Sequence, residues 1–161
     1  MKLDSSRRTT HQILISVIAL LSIAEIASLA AREPARRDVE SLQLLVNALK
    51  QQLKIASAVE LEIVDRNPLL VSVEPRKRDG AFALLFDREF LETLDDTDIR
   101  AAIAHELGHV WIFTHHPYLQ TERLANDVAM RAVSRDSLLK VYEKVWARAG
   151  TKVDPATFVG Q

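Results

Sequence analysis

No cysteine occurs among the 161 residues, so the chain can form neither a disulfide nor a thiolate metal site. It also lacks an excess of charge of either sign: 21 Lys and Arg stand against 22 Asp and Glu, a formal net charge of −1. Such a near-neutral chain offers no electrostatic reason to expect nucleic acid as a partner. Its short basic run, Arg76-Lys77-Arg78, leads into Asp79-Gly80 and reads as a solvated hairpin turn. Internal repeats and low-complexity tracts are missing, and the length suits one domain.

What the sequence concentrates is histidine. Four of the five histidines fall within twelve residues, and His105 and His109 bracket Glu106 in the run Ala104-His105-Glu106-Leu107-Gly108-His109. A helix has about 3.6 residues per turn, so positions four apart lie about 40° apart around its axis and both imidazoles can reach one metal. HExxH on a helix is the pattern of a zinc hydrolase, with the glutamate as general base. Upstream, Asp95-Asp96-Thr97-Asp98 supplies the cap and first-turn acids of a helix start. On that helix Ile99, Ile103, Leu107 and Val110 cluster on a core face, while His109 and Ile112 stay near His105. Gly108 costs about 1 kcal/mol relative to Ala in a helix interior, a cost that close approach by a neighbouring segment would explain.

A second amphipathic segment opens at Thr121-Glu122-Arg123-Leu124-Ala125-Asn126. Residues 115–120 separate it from the first, and Pro117 disfavours helical geometry at His116, so a tight turn should bring Glu122 back toward the histidine pair. Two histidines and one carboxylate around Zn2+, with a position left for water, is a catalytic coordination pattern. Glu122 is the expected third ligand. His115 is the runner-up, because it stands ten residues after His105 as in HExxHxxGxxH, although Ile112 occupies the position where that motif needs Gly. Asp127 lies between Arg123 and Arg131 and reads as a solvated ion-pair residue. His116 is too far along the axis to share the metal; it and Tyr118 are candidates for contact with substrate or a transition-state oxyanion.

The stretch from Leu85 through Asp95-Asp96-Thr97-Asp98-Ile99 to Ala104-His105-Glu106-Leu107-Gly108-His109 resembles the segment of HtpX-like and CaaX-prenyl-type peptidases that leads into "L-x-DDEL-x-AVLAHELGH". Glu122-x-x-Ala125-Asn126-x-x-Ala129 similarly resembles their ExxADxxA helix. The resemblance spans roughly residues 80–133. It implies a gluzincin metallopeptidase in which His105, His109 and Glu122 hold Zn2+ and Glu106 is the catalytic base. Three departures stand out. Asn126 replaces the usual Asp, as in the ExxAN pattern of ImmA/IrrE-like peptidases; the step from His109 to Glu122 is short; and the family's multiple membrane spans are missing.

The remaining organisation predicts an α+β, minimal zincin-like domain over residues 31–150, followed by a tail, 151–161. Val39, Leu42, Val46, Leu49 and Leu53 recur at helical spacing. Residues 59–64, 69–73 and 81–86 read as strands, the second turning into the third at Asp79-Gly80. These give a small antiparallel or mixed sheet packed on the N-terminal helix, the HExxH helix and the glutamate helix. The third strand is expected to form the edge that pairs with an extended peptide. Ser134 or Asp136 should cap a final helix ending at Gly150. Lys2, Arg7 and Arg8 precede an apolar run over 13–24, and Ser28-Leu29-Ala30 offers small residues for cleavage. Residues 1–30 therefore read as the signal peptide of an exported, periplasmic or extracellular protein. An uncleaved anchor over 12–31, with membrane association, is the alternative.

The expected function is zinc-dependent hydrolysis of a peptide or protein substrate, with Glu106 as general base. A non-catalytic zinc-binding module or a membrane-tethered interaction module is the alternative reading.

Overall fold

The computed structural model describes residues 38–77 and 80–150. The leader or anchor expected over 1–30 and the tail at 151–161 lie outside the described residues. Among the described residues no helix is long and apolar enough to cross a membrane.

Helix α1, Val39–Leu53, starts where the Asp38 carboxylate accepts the Ser41 N–H at 2.7 Å, and it buries Leu42, Val46, Leu49 and Leu53 on one stripe. Strands β1 (Val59–Val64), β2 (Val71–Pro75) and β3 (Phe82–Asp87) form one mixed sheet in the order β1-β3-β2. β3 runs parallel to β1 and antiparallel to β2. Arg76 N–H donates to the Ala81 carbonyl across the β2–β3 turn at 2.8 Å, and Gly80 takes the left-handed conformation there, φ +66°.

This order corrects one expectation. β3 is the central strand, hydrogen-bonded on both sides, and cannot be the edge that receives a peptide. Its apolar content fits that place: Phe82, Leu84 and Phe86 are buried. The strands at the edges are β1 and β2, and they differ. Gln43 of α1 reaches across to β1, its Nε2 donating to the Val59 carbonyl at 2.9 Å and its Oε1 accepting the Leu61 N–H at 2.7 Å. A side-chain amide thus occupies the outer groups of β1, as edge protection requires. Among the described residues no strand lies on the outer side of β2.

A short helix α2, Arg88–Glu92, capped by Asp87, turns the chain into α3, Asp96–His115. The Asp95 side chain accepts the Asp98 N–H and the Asp98 side chain accepts the Asp95 N–H, at 2.9 and 3.0 Å, a reciprocal capping box. Ile99, Ile103, Leu107 and Val110 enter the core as the wheel requires, but α3 is covered on more than that side: Ala101, Ala104 and Ile112 are buried as well. The additional cover comes from α4 (Glu122–Ala129) and α5 (Arg135–Ala149). Ser134 caps α5, accepting the Ser137 N–H, and Gly150 closes it in the left-handed conformation.

Candidate metal centre

The site forms where α4 crosses α3. A Cβ built on Gly108 would lie 2.3 Å from the Ala125 carbonyl oxygen, so the two helices touch backbone to backbone and only glycine fits. Thr121 fixes where α4 begins by accepting the Leu124 N–H at 3.2 Å, which leaves Glu122 as the first helical residue, over the histidine pair.

Three side chains meet there. His105 Nε2 lies 3.2 Å from His109 Nε2 and 3.2 Å from Glu122 Oε2, and His109 Nε2 lies 3.5 Å from Glu122 Oε1. A tetrahedral zinc with ligand bonds of about 2.0–2.2 Å separates its donors by about 3.3–3.6 Å. The two imidazole nitrogens stand near that edge length, Glu122 meets them through different oxygens, Oε2 and Oε1, and one donor atom from each of the three residues lies within 4.8 Å of the others. This nitrogen and oxygen donor set could therefore hold a metal ion.

Each imidazole is also held from behind, which fixes its ring orientation. His105 Nδ1 lies 2.8 Å from Asn126 Oδ1, and His109 Nδ1 lies 3.3 Å from Gln120 Oε1. The residue that departs from the family pattern, Asn126, thus occupies the position of a histidine-orienting group. It is fully buried, and its Nδ2 donates to the Tyr142 hydroxyl at 3.0 Å. Tyr142 in turn donates to Glu122 Oε2 at 3.2 Å.

The electrostatics follow from this crowding. Hydrogen bonds from His105 and His109 hold the Glu122 carboxyl well below the usual range despite its partial burial. Burial alone would lower the His109 pKa, but Glu122 and Glu106 outweigh it and raise it. Glu106 is only 8% exposed, and desolvation pushes its carboxyl up against the favourable charges of the two histidines. Burial likewise raises the Tyr142 hydroxyl, which stays protonated as a donor.

Beside these groups opens a cavity of about 480 Å3. β2 contributes Val71, Ser72, Val73 and Pro75 to its wall; α5 contributes Leu138, Val141, Tyr142 and Val145; Glu106, His105, His109 and Glu122 stand between.

The other sequence candidates lie elsewhere. His115 stacks on Trp111, ring centroids 4.3 Å apart, with Nδ1 2.9 Å from the Trp111 carbonyl oxygen, and does not join the three donors. His116 is exposed beside the same tryptophan, and Tyr118 is 98% exposed. Neither lines the cavity. Asp127 is exposed, as expected. Tyr142 and Gln120 are the site residues that sequence reasoning missed. The only sequence signal for Tyr142 is its place beside Leu138, Val141 and Val145 on the apolar stripe of the last helix.

The helix, the three-stranded mixed sheet, the long α3 and the helices that follow it define a minimal metallopeptidase fold of the α+β class. A solved structure similar to it is the metallopeptidase zymogen of Pyrococcus abyssi abylysin, with a TM-score of 0.51 and 13% identity over 70% of this chain and 99% of that one. At that identity the likeness concerns the fold. No family model matches the sequence, and no curated protein matches it.

Proposed function

We propose that the protein is a zinc-dependent metallopeptidase of the gluzincin type. The observation that carries this reading is the meeting of His105, His109 and Glu122, one donor atom from each within 4.8 Å of the others, with the buried Glu106 carboxyl next to His105 on the helix and a cleft in front of it. The similarity in fold to abylysin, described as a metallopeptidase, supports it.

In this reading His105, His109 and Glu122 hold the ion. Bound there, Zn2+ would polarise a substrate carbonyl and lower the pKa of a water to about 7. Glu106 takes a proton from the attacking water and delivers it to the leaving amide nitrogen. Its desolvated carboxyl suits that traffic, since burial raises its affinity for a proton it must hold and then release. Substrate enters as an extended peptide along β2. That edge replaces β3 in the role: its outer side carries no strand among the described residues, Val71 and Val73 line the cleft, and the β1 edge is covered by Gln43. The apolar wall from α5 and β2 favours substrates with apolar side chains near the cleaved bond. Export through a leader at residues 1–30 is part of the proposal on sequence grounds, and the mass of the secreted chain tests it.

The decisive experiment pairs metal content with turnover. The Glu106→Gln chain should retain one Zn2+ per chain and lose peptidase activity by about 10²–10⁴-fold. An unaltered chain that binds no divalent metal, or a Glu106→Gln chain with undiminished turnover, would overturn the reading.

A further inference from the structure

We infer that Tyr142 is a positioning residue that makes Asn126 a one-way acceptor for His105 and so holds the His105 Nε2 lone pair toward the metal centre. The inference rests on the metallopeptidase reading, because it concerns the site's readiness for the ion.

An ammonium or carboxylate has one hydrogen-bonding sense, but an asparagine amide has two ends of nearly equal size, one accepting and one donating. Asn126 could therefore face His105 with either end. With Oδ1 forward, His105 keeps its proton on Nδ1 and its Nε2 lone pair is free for a metal. With Nδ2 forward, His105 must accept at Nδ1 and carry its proton on Nε2, inside the centre, where it competes with the ion. An aspartate at this position would accept only and would face no such choice.

Tyr142 makes the choice. Its hydroxyl has one proton, and the ionised Glu122 carboxylate can only accept, so the 3.2 Å contact spends that proton on Glu122. Toward Asn126, at 3.0 Å, the hydroxyl oxygen is then left to accept, which requires the Nδ2 end of the amide to face Tyr142. The Oδ1 end must face His105, at 2.8 Å. The hydroxyl itself lies farther from His105 Nδ1, at 3.5 Å, and does not replace Asn126 there. One directed chain results: His105 Nδ1–H to Asn126, Asn126 to Tyr142, Tyr142 to Glu122. It starts on one metal-binding side chain and ends on another, so both are oriented by the same three bonds. The tyrosine ring is fixed for this by stacking on Trp146, centroids 5.2 Å apart, and by an edge contact with His105 at 5.5 Å.

The test is calorimetric titration of the full chain with Zn2+, and with Co2+ as a coloured probe, in four forms: unaltered, Tyr142→Phe, Asn126→Asp and the double variant. Tyr142→Phe keeps the ring and removes the hydroxyl; it should weaken metal binding about tenfold. In the Asn126→Asp background the same substitution should lose most of that effect, because the carboxylate accepts from His105 unaided, and the Co2+ spectrum should return to that of the unaltered chain. A tyrosine that merely packs would cost the same in both backgrounds, and that result overturns the inference while leaving the metallopeptidase reading intact. So does unchanged affinity in Tyr142→Phe. If Tyr142→Phe alone fails to fold, the double variant decides: it must fold and bind metal as Asn126→Asp does, and failure overturns the inference. If the unaltered chain takes up neither ion, both the inference and the reading beneath it fall.

Discussion

Helices α4 and α5 both lie against α3, and they are held to it by opposite means. α4 is pressed against it, with the Ala125 backbone in the space that a side chain at Gly108 would occupy and Ala125, Val128 and Ala129 fully buried. α5 buries only Leu138 and Val141 and is fastened by a row of cations at every fourth position. Lys140 reaches Asp95 at 2.6 Å and Lys144 reaches Asp98, both at the start of α3; Lys144 also reaches the Thr93 carbonyl, at 3.0 Å, and Arg148 reaches Glu89 of α2, in the segment that leads into α3. The difference matches what each helix carries. For the proposed metal centre, Glu122 on α4 would have to sit within tenths of an ångström of a ligand position, and contact between hard surfaces sets such a distance without dependence on salt or pH. Tyr142 on α5 needs only hydrogen-bond range, which a partly solvated ion-pair row can maintain.

The sharpest way to break this comparison is Gly108→Ala. Propensity alone would make the exchange stabilising by about 1 kcal/mol, since glycine is a poor helix former. The added Cβ would instead meet a backbone carbonyl that has no rotamer to escape into, at 2.3 Å, so α4 must move off α3. The expected result is a loss of about 1–3 kcal/mol in denaturant unfolding, together with weakened Zn2+ binding as Glu122 is carried away from the histidines. A more stable protein with unchanged metal affinity would show that contact does not set the position of α4.

An effect of similar size on stability, but without a direct effect on the metal centre, is expected on the other side of the comparison. Asp98 is the one acid of the α5 junction that is fully buried, at 0% exposure, and it serves both the capping box and the Lys140 and Lys144 ammonium groups. Asp98→Ala leaves the Asp95 N–H without its acceptor, while both lysines can still turn to water. A loss of about 2 kcal/mol follows, most of it from the cap and the buried hydrogen bonds rather than from the charges. Raising salt to about 1 M should weaken the hold on α5 in the unaltered protein and leave the α4 contact as it was.

The two junctions also differ in how far they can be read from sequence. The α4 contact was legible: a glycine inside an otherwise good helix, a short linker broken at Pro117 and an acid opening the next amphipathic segment together imply a close return of Glu122 to His105 and His109. The helix ends were legible to within a few residues, because capping depends on residues within one turn of the chain: Asp95 is one of the four candidates at 95–98, Ser134 one of the two at 134 and 136, and Gly150 is the stop expected. The strand order was not. Periodicity marks β1, β2 and β3 but carries no record of which lies in the middle, and β3 enters between the other two through pairing with β1 more than twenty residues away. Tyr142 was hidden for a related reason. Helical phase puts it beside Leu138, Val141 and Val145, yet which neighbour this stripe meets depends on contacts with residues far away along the chain, which no local pattern announces. Its partner Asn126 was visible as a departure from the aspartate of the resembling family; that a hydroxyl from another helix would complement it was not.

The smallest of the expected effects isolates the charge in the α5 fastening. The Lys140 ammonium, with the Asp98 backbone N–H, holds the Asp95 carboxyl at about 2, down from 3.8. A carboxyl whose pKa is depressed on folding adds stability above its unfolded value, and that contribution is lost as pH falls from about 3.8 through about 2. Asp95→Asn is the clean probe, because asparagine caps a helix nearly as well as aspartate and only the charge is removed. In thermal unfolding the D95N chain should melt slightly below the unaltered protein between pH 5 and pH 7, and the gap should close as the pH is lowered toward about 2, where Asp95 is itself becoming neutral. Added salt at neutral pH should narrow the same gap, since this pair is half in solvent. A gap that persists unchanged at low pH would mean that Asp95 acts on α3 as a cap alone, and that Asp98, Lys144 and the buried leucine and valine fasten α5 without it.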